Sequence, residues 1–182
     1  MSTDARRIRR PGQCLLIAFM LTMGGCGGSA PKATFETSPA LSDADLKGLY
    51  PGTLLRQVVF EDIDGAGLLL ISRSEQTSPA QGDKEPLDQI TLRAELFRRP
   101  GLAAPWTSRW IQEDPVQCEG LDLEAGYFLD QVTATDLDHD GRAELTLASH
   151  SFCGGGVDPQ QLRIGLRQGE QYYDCLLYTS LS

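Results

Sequence analysis

A chain of 182 residues, 41% hydrophobic and 23% charged, can bury one core, which excludes wholesale disorder. The formal charge is −9, and without residues 1–25, which carry four arginines and one aspartate, 12 basic residues face 24 acidic ones. A body this acidic lacks the basic face that phosphate neutralisation requires, so no nucleic-acid partner is expected; a cation-binding, extracytoplasmic protein fits better.

In chain order, Arg6, Arg7, Arg9 and Arg10 precede an apolar run over Cys14–Leu21, the layout of a secretory signal and too short to span a bilayer comfortably. Met23-Gly24-Gly25-Cys26 follows, and two small residues before a cysteine resemble the bacterial lipobox, with Met23 in place of the usual leucine. The resemblance implies that residues 1–25 are a lipoprotein signal peptide with a signal helix. It also implies that Cys26 is lipidated and anchors the chain to a membrane. Gly27, where an aspartate would signal inner-membrane retention, implies the outer membrane, facing the periplasm or the surface. The expected location is therefore the bacterial cell envelope. Residues 26–40 are small and polar and read as a flexible tether.

A β domain is expected over 41–174. Ser42–Leu49 suits one short helical turn, capped by Ser42 and stopped by Gly48. Strands are expected at Leu54–Phe60 and Leu68–Ser72, around an Asp62/Asp64 hairpin. That hairpin lies 74 residues before a second acidic loop at Asp136, with Gly67 taken as its sixth position, which suggests two related units. It lacks two of the four acidic positions of the later loop, so it should keep the hairpin shape without a metal. Ser74–Pro86 reads as a loose loop, and Gln89–Phe97 as a strand with Ile90, Leu92, Ala94 and Leu96 on one face. Trp106 and Trp110 fall on one face of a strand over Trp106–Ile111. They suit either a sugar-stacking platform, which would make glycan a partner, or a pair of core aromatics.

The densest chemistry is Asp136-Leu137-Asp138-His139-Asp140-Gly141-Arg142-Ala143-Glu144. Carboxylates at positions 1, 3, 5 and 9 converge on one point, Gly141 permits the sharp turn, and the Arg142 carbonyl adds an oxygen. This all-oxygen set is the donor chemistry of calcium. Asp136, Asp138, Asp140, Arg142 and Glu144 are therefore the candidate metal residues, with calcium as cofactor. The loop is not an EF-hand, because position 12 is Leu147 and the flanks Gln131–Thr135 and Leu145–Ala148 read as strands. It resembles the Asp-x-Asp-x-Asp-Gly-x-x-Glu hairpin loops of integrin-type (FG-GAP-like) β-propeller repeats, which implies that Glu144 ligates directly. The expected fold is all-β, with antiparallel hairpins in two propeller-blade-like units and one short helix.

His150–Pro159 reads as a loop held at Cys153, followed by strands at Gln161–Arg167 and from Gln171. Cys175–Ser180 resembles the translation of a transposon end used in sequencing libraries, so residues 175–182 read as an adaptor-derived tail. With Cys14 lost in the signal, Cys26 lipidated and Cys175 foreign, Cys118 and Cys153 remain, and an exported pair is expected to form a disulfide across 35 residues.

No Gly-x-Ser-x-Gly or His-Glu-x-x-His occurs, so hydrolase templates lack support and no catalytic residue is assigned. The block from Asp136 to Tyr173, with Cys153-Gly154-Gly155-Gly156-Val157-Asp158-Pro159 inside it and Trp110 and Cys118 upstream, is similar to a family of bacterial envelope proteins sometimes labelled as surface-polysaccharide biosynthesis proteins. The resemblance implies an envelope role near surface glycan. The leading expectation is a lipid-anchored, non-enzymatic binding or assembly module. An enzyme acting on envelope polysaccharide and a purely structural lipoprotein are the alternatives.

Overall fold

The computed structural model describes residues 35–179, apart from Gln81, Asp83, Lys84, Leu102 and Gly156. The residues read as a signal peptide, Cys26 and most of the expected tether lie outside the described residues. Among the described residues ten strands form two antiparallel sheets, with no closed barrel. The first sheet runs β1 (Glu36–Ser38), β2 (Thr53–Asp62), β3 (Gly65–Ser78), β4 (Leu87–Arg99) and β5 (Thr107–Glu119), each strand beside its neighbour in sequence. The second contains β6 (Asp122–Tyr127), β7 (Thr133–Thr135), β8 (Glu144–Gly154), β9 (Gln160–Gln168) and β10 (Gln171–Thr179), in the order β10-β9-β8 with β6 and β7 both on the far edge of β8. The two expected hairpin-bearing units are these two sheets.

The sheets share one core. Phe60, Leu69, Ile71, Ile90, Leu92, Ala94 and Leu96 of the first meet Ala125, Tyr127, Val132, Ala134, Leu145 and Leu147 of the second. The first sheet is buried on its other face too, where Leu46 of the one-turn helix α1 (Asp43–Leu46) packs with Val59, Leu68, Leu70 and Phe97. This explains the unbroken run Leu68-Leu69-Leu70-Ile71. Successive side chains of a strand point to opposite faces, and here both faces are dry. Ser42 sits at the helix N-cap as expected, but its hydroxyl donates to Asp45 Oδ2 (2.6 Å) and makes no cap bond to the backbone.

Several expectations need correction. The tether ends early: Phe35 packs on Phe60 (6.1 Å between ring centroids) and Glu36–Ser38 pairs with β2, so the β domain begins before residue 41. The loose loop shortens, because β3 and β4 stay paired out to Ser78 and Leu87. Strand β5 runs through Pro115, which an outer strand tolerates because its missing N–H faces no partner. β6 was missed, although Leu123, Ala125 and Tyr127 alternate, because Asp122, Glu124 and Gly126 dilute the pattern. β8 continues through Cys153 to Gly154, so the expected loop begins later. β10 continues past Asp174 to Thr179. Ladder pairing asks only for residues that tolerate extended backbone, and Cys175–Thr179 are such residues. As the outer strand, β10 leaves Cys175 as an exposed free thiol beside exposed Leu176 and Leu177.

The tryptophans do not share a face. Leu96 pairs with Trp110 and Phe97 with Ser108, so Arg109 is an unpaired bulge residue that reverses the alternation. Trp110 packs on the inter-sheet core and Trp106 on the helix side. Each indole is half-buried beneath an arginine, Arg167 over Trp110 (4.4 Å) and Arg99 over Trp106 (4.3 Å), which rules out a two-ring platform.

Tyr127 lies in the shared core, and its hydroxyl has no hydrogen-bond partner among the described residues. Burial, with the charge of Asp114 second, pushes its phenol above the usual value. A tyrosine whose folded pKa is raised contributes stability that is whole below the unfolded value, about 10, and lost as pH climbs toward the folded value. Tyr127→Phe should therefore leave stability near neutrality within about 1 kcal/mol and move the alkaline loss to higher pH, read from urea midpoints across pH. A neutral-pH loss above about 2 kcal/mol would mean the hydroxyl has a partner after all.

Candidate metal centre

β6 and β7 run antiparallel along β8, interrupted by a 3-10 turn at Leu129–Gln131, so together they form one long hairpin. The acidic loop, residues 136–143, is its tip: Thr135 pairs with Glu144 at the mouth. Its base is the Cys118–Cys153 disulfide, with Cα atoms 5.5 Å apart, which ties the end of β5 in one sheet to the end of β8 in the other. Nine residues of strand, about 30 Å, separate Glu144 from Cys153. Bridge and loop thus hold opposite ends of the same hairpin.

Within the tip, one carboxylate oxygen from each of Asp136, Asp138, Asp140 and Glu144 lies within 4.8 Å of the others. The backbone folds inward on these acids. Asp140 N–H donates to Asp138 (3.1 Å), Gly141 N–H to Asp136 (3.2 Å), and Arg142 N–H to Asp140 (2.7 Å). Two consecutive reversals, His139 at φ 61° and Gly141 at φ 84°, make the turn; the His139 side chain is exposed, as its place in the loop predicts. Glu144 is 5% exposed and accepts Leu137 N–H (2.6 Å) and the Gln168 amide (2.8 Å). Among the described residues no cationic side chain pairs with Glu144, Asp136 or Asp138, and the buried Oδ1 of Asp136 has no donor. Arg142 reaches only Asp140 (3.5 Å) and Asp64 of the other hairpin (3.4 Å). Four like charges this close repel, and neutral donors offset that only partly. The all-oxygen donors and the orphaned oxygen fit a hard cation.

The first hairpin solves the same problem differently. Asp62 pairs with Gly65 around a two-residue turn, and Gly65 (φ 98°) takes the left-handed position. Gly67, expected to be the equivalent of Gly141, instead lies in β3 beneath the Phe60 ring, where a Cβ would come within 2.3 Å of Cζ. A two-residue turn and an eight-residue loop are not repeats of one structure. The expectation of no metal has a physical basis: the Asp62 carboxylate is held by Arg98 in a two-pronged ion pair, both contacts 2.7 Å. It also accepts Asp64 N–H (2.9 Å) and, across the sheets, Ala143 N–H (3.0 Å), while Ile63 N–H donates to the Gly141 carbonyl (3.0 Å). Sequence reasoning missed this buttress. The acidic tip is therefore braced from behind by a hairpin whose own charge is already neutralised.

A second cleft, about 310 Å³, contains Asp114, Asp174 and His150. Arg163 pairs with both aspartates, and its hydrogen bond to Asp174, with the charge of Asp114 behind it, holds its guanidinium above the usual range. No hydrogen bond joins His139 or His150 to a serine, threonine or cysteine side chain among the described residues; the His150 ring packs 5.1 Å from that of Phe128. No helix among the described residues is long and apolar enough to cross a membrane.

No family model, curated protein or solved structure matches this chain.

Proposed function

We propose that this chain is a lipid-anchored, calcium-binding protein of the bacterial cell envelope, working as a binding or assembly module near surface polysaccharide. Its support at the N-terminus is the arginine-rich segment, short apolar run and Gly24-Gly25-Cys26. The polysaccharide link rests on the resemblance carried by Asp136–Tyr173. The calcium reading rests on one observation: four acidic oxygens within 4.8 Å, one side chain nearly buried, and no cationic partner among the described residues for three of the four. Several carboxylates together with a backbone carbonyl suit calcium, which takes many oxygen ligands, better than magnesium, which keeps several waters. A non-enzymatic role is favoured because the paired carboxylates of the second cleft are both committed to Arg163.

Calcium titration followed by thermal unfolding tests the site. At a hundredfold excess over the dissociation constant, calcium should add about 2.7 kcal/mol, and magnesium less. Asp138→Ala should abolish the gain, since Asp138 is exposed and its removal leaves the fold intact. Equal shifts in both proteins would overturn the reading.

A further inference from the structure

A cleft beside the acidic loop is lined mainly by residues other than the loop's carboxylates. It holds about 520 Å³ and opens at the tip end of the two sheets. Arg98, Arg99, Arg109, Arg142 and Arg167 all line it, against two carboxylates, Asp64 and Glu170. Five guanidinium groups in one cleft are unexpected in a chain of formal charge −9.

These arginines differ in what already holds them. Arg98 is committed to Asp62, and Arg142 to Asp64 and Asp140. Neither Arg109 nor Arg167 has an ion pair among the described residues. Arg167 lies between two rings, 4.4 Å from the centroid of Trp110 and 5.2 Å from that of Tyr172, and its Nε has no hydrogen-bond partner. Aromatic neighbours help orient a guanidinium, and with no carboxylate paired to it Arg167 keeps its terminal N–H donors for a planar or tetrahedral oxyanion. Arg109 is the bulge residue of β5, which the ladder leaves unpaired. The bulge that separates the two tryptophans thus also places a free cation on the cleft wall.

We propose that this cleft binds an oxyanion, a phosphate or a sugar carboxylate, with Arg109 and Arg167 as its principal donors. Trp110 lines the same cleft and supplies an apolar wall for the body that carries the anion. The site requires no metal, so it stands whether or not the neighbouring loop binds calcium.

The test is calorimetric titration of the full chain in the presence of a metal chelator, at two salt concentrations, with pyrophosphate and with a short uronic-acid oligomer as separate probes. Saturable binding that weakens with salt is expected for at least one probe. Arg109→Gln should weaken it about tenfold, the loss of one charged contact. Arg167→Lys should also weaken it, since a lysine keeps the charge and loses the fork. Arg56→Gln, outside the cleft, should leave it unchanged. Thermal melts show that each variant is folded. Response to pyrophosphate alone assigns a phosphate ligand, and response to the uronate assigns an acidic glycan. Absence of saturable binding by either probe at about 10 mM, or affinities that Arg109→Gln and Arg167→Lys both leave intact, overturns the proposal.

Discussion

Replacing Asp62 with alanine should lower the stability of the protein by about 3–5 kcal/mol, measured by urea unfolding. The Asp62 side chain is fully buried and that of Arg98 is 17% exposed, so the pair sits where water cannot replace a lost partner. Alanine would strand the guanidinium over the Phe60 ring, 4.8 Å from its centroid, and leave Ala143 N–H without an acceptor. Arg98→Ala should be as damaging, because it leaves a buried carboxylate without its cation. The double replacement Asp62→Leu with Arg98→Met should recover part of the loss, since an apolar pair strands no charge, while Ala143 N–H still lacks its acceptor. A single-variant loss below about 1 kcal/mol would place the pair among weak surface contacts and contradict this account. The injury should also reach the acidic tip, whose backbone is bonded to this hairpin on both sides of Arg142.

The second large effect is expected at the other end of the hairpin. Cys118→Ala with Cys153→Ala opens a loop of 35 residues, which chain-entropy reasoning values at about 4 kcal/mol. The bridge joins the two sheets as well as two points on the chain, so its loss frees the end of β5 from the end of β8. The calcium-dependent stabilisation proposed above should survive in this variant, because about 30 Å of paired strand lies between bridge and tip. Loss of the calcium response together with the bridge would show instead that the hairpin orders as one unit. An unfolding midpoint unmoved by the double replacement would remove the bridge from the account of stability.

What the sequence made legible was whatever rests on short spacing. The acidic loop, the Ile90–Leu96 alternation and the isolated cysteine pair all follow from neighbours within a few residues, or from elimination. The failures have a common cause. Asp62 finds Arg98 across 36 residues, and no local pattern announces that a guanidinium will stand where a metal was conceivable. The tryptophans were placed together because i and i+4 share a strand face, and one bulge at Arg109 breaks that rule. The cleft arginines come from β4, β5, β9 and the tip loop, so their convergence exists only after two sheets have closed. The extent of β10 was not legible, because backbone pairing with β9 accepts residues 175–179 whatever their side chains.

The two sheets present borders of unequal character. On β5, Arg109, Glu113 and Pro115 lie along the free rim, and charge with a missing amide discourages a neighbouring molecule from adding its own strand. On β10 the rim carries exposed Leu176 and Leu177 with an exposed free thiol at Cys175. Self-association at high protein concentration would therefore begin at β10. The exposed side chains of Cys175, Leu176 and Leu177 thus bear on colloidal behaviour more than on folding, and polar residues there would keep separate copies apart.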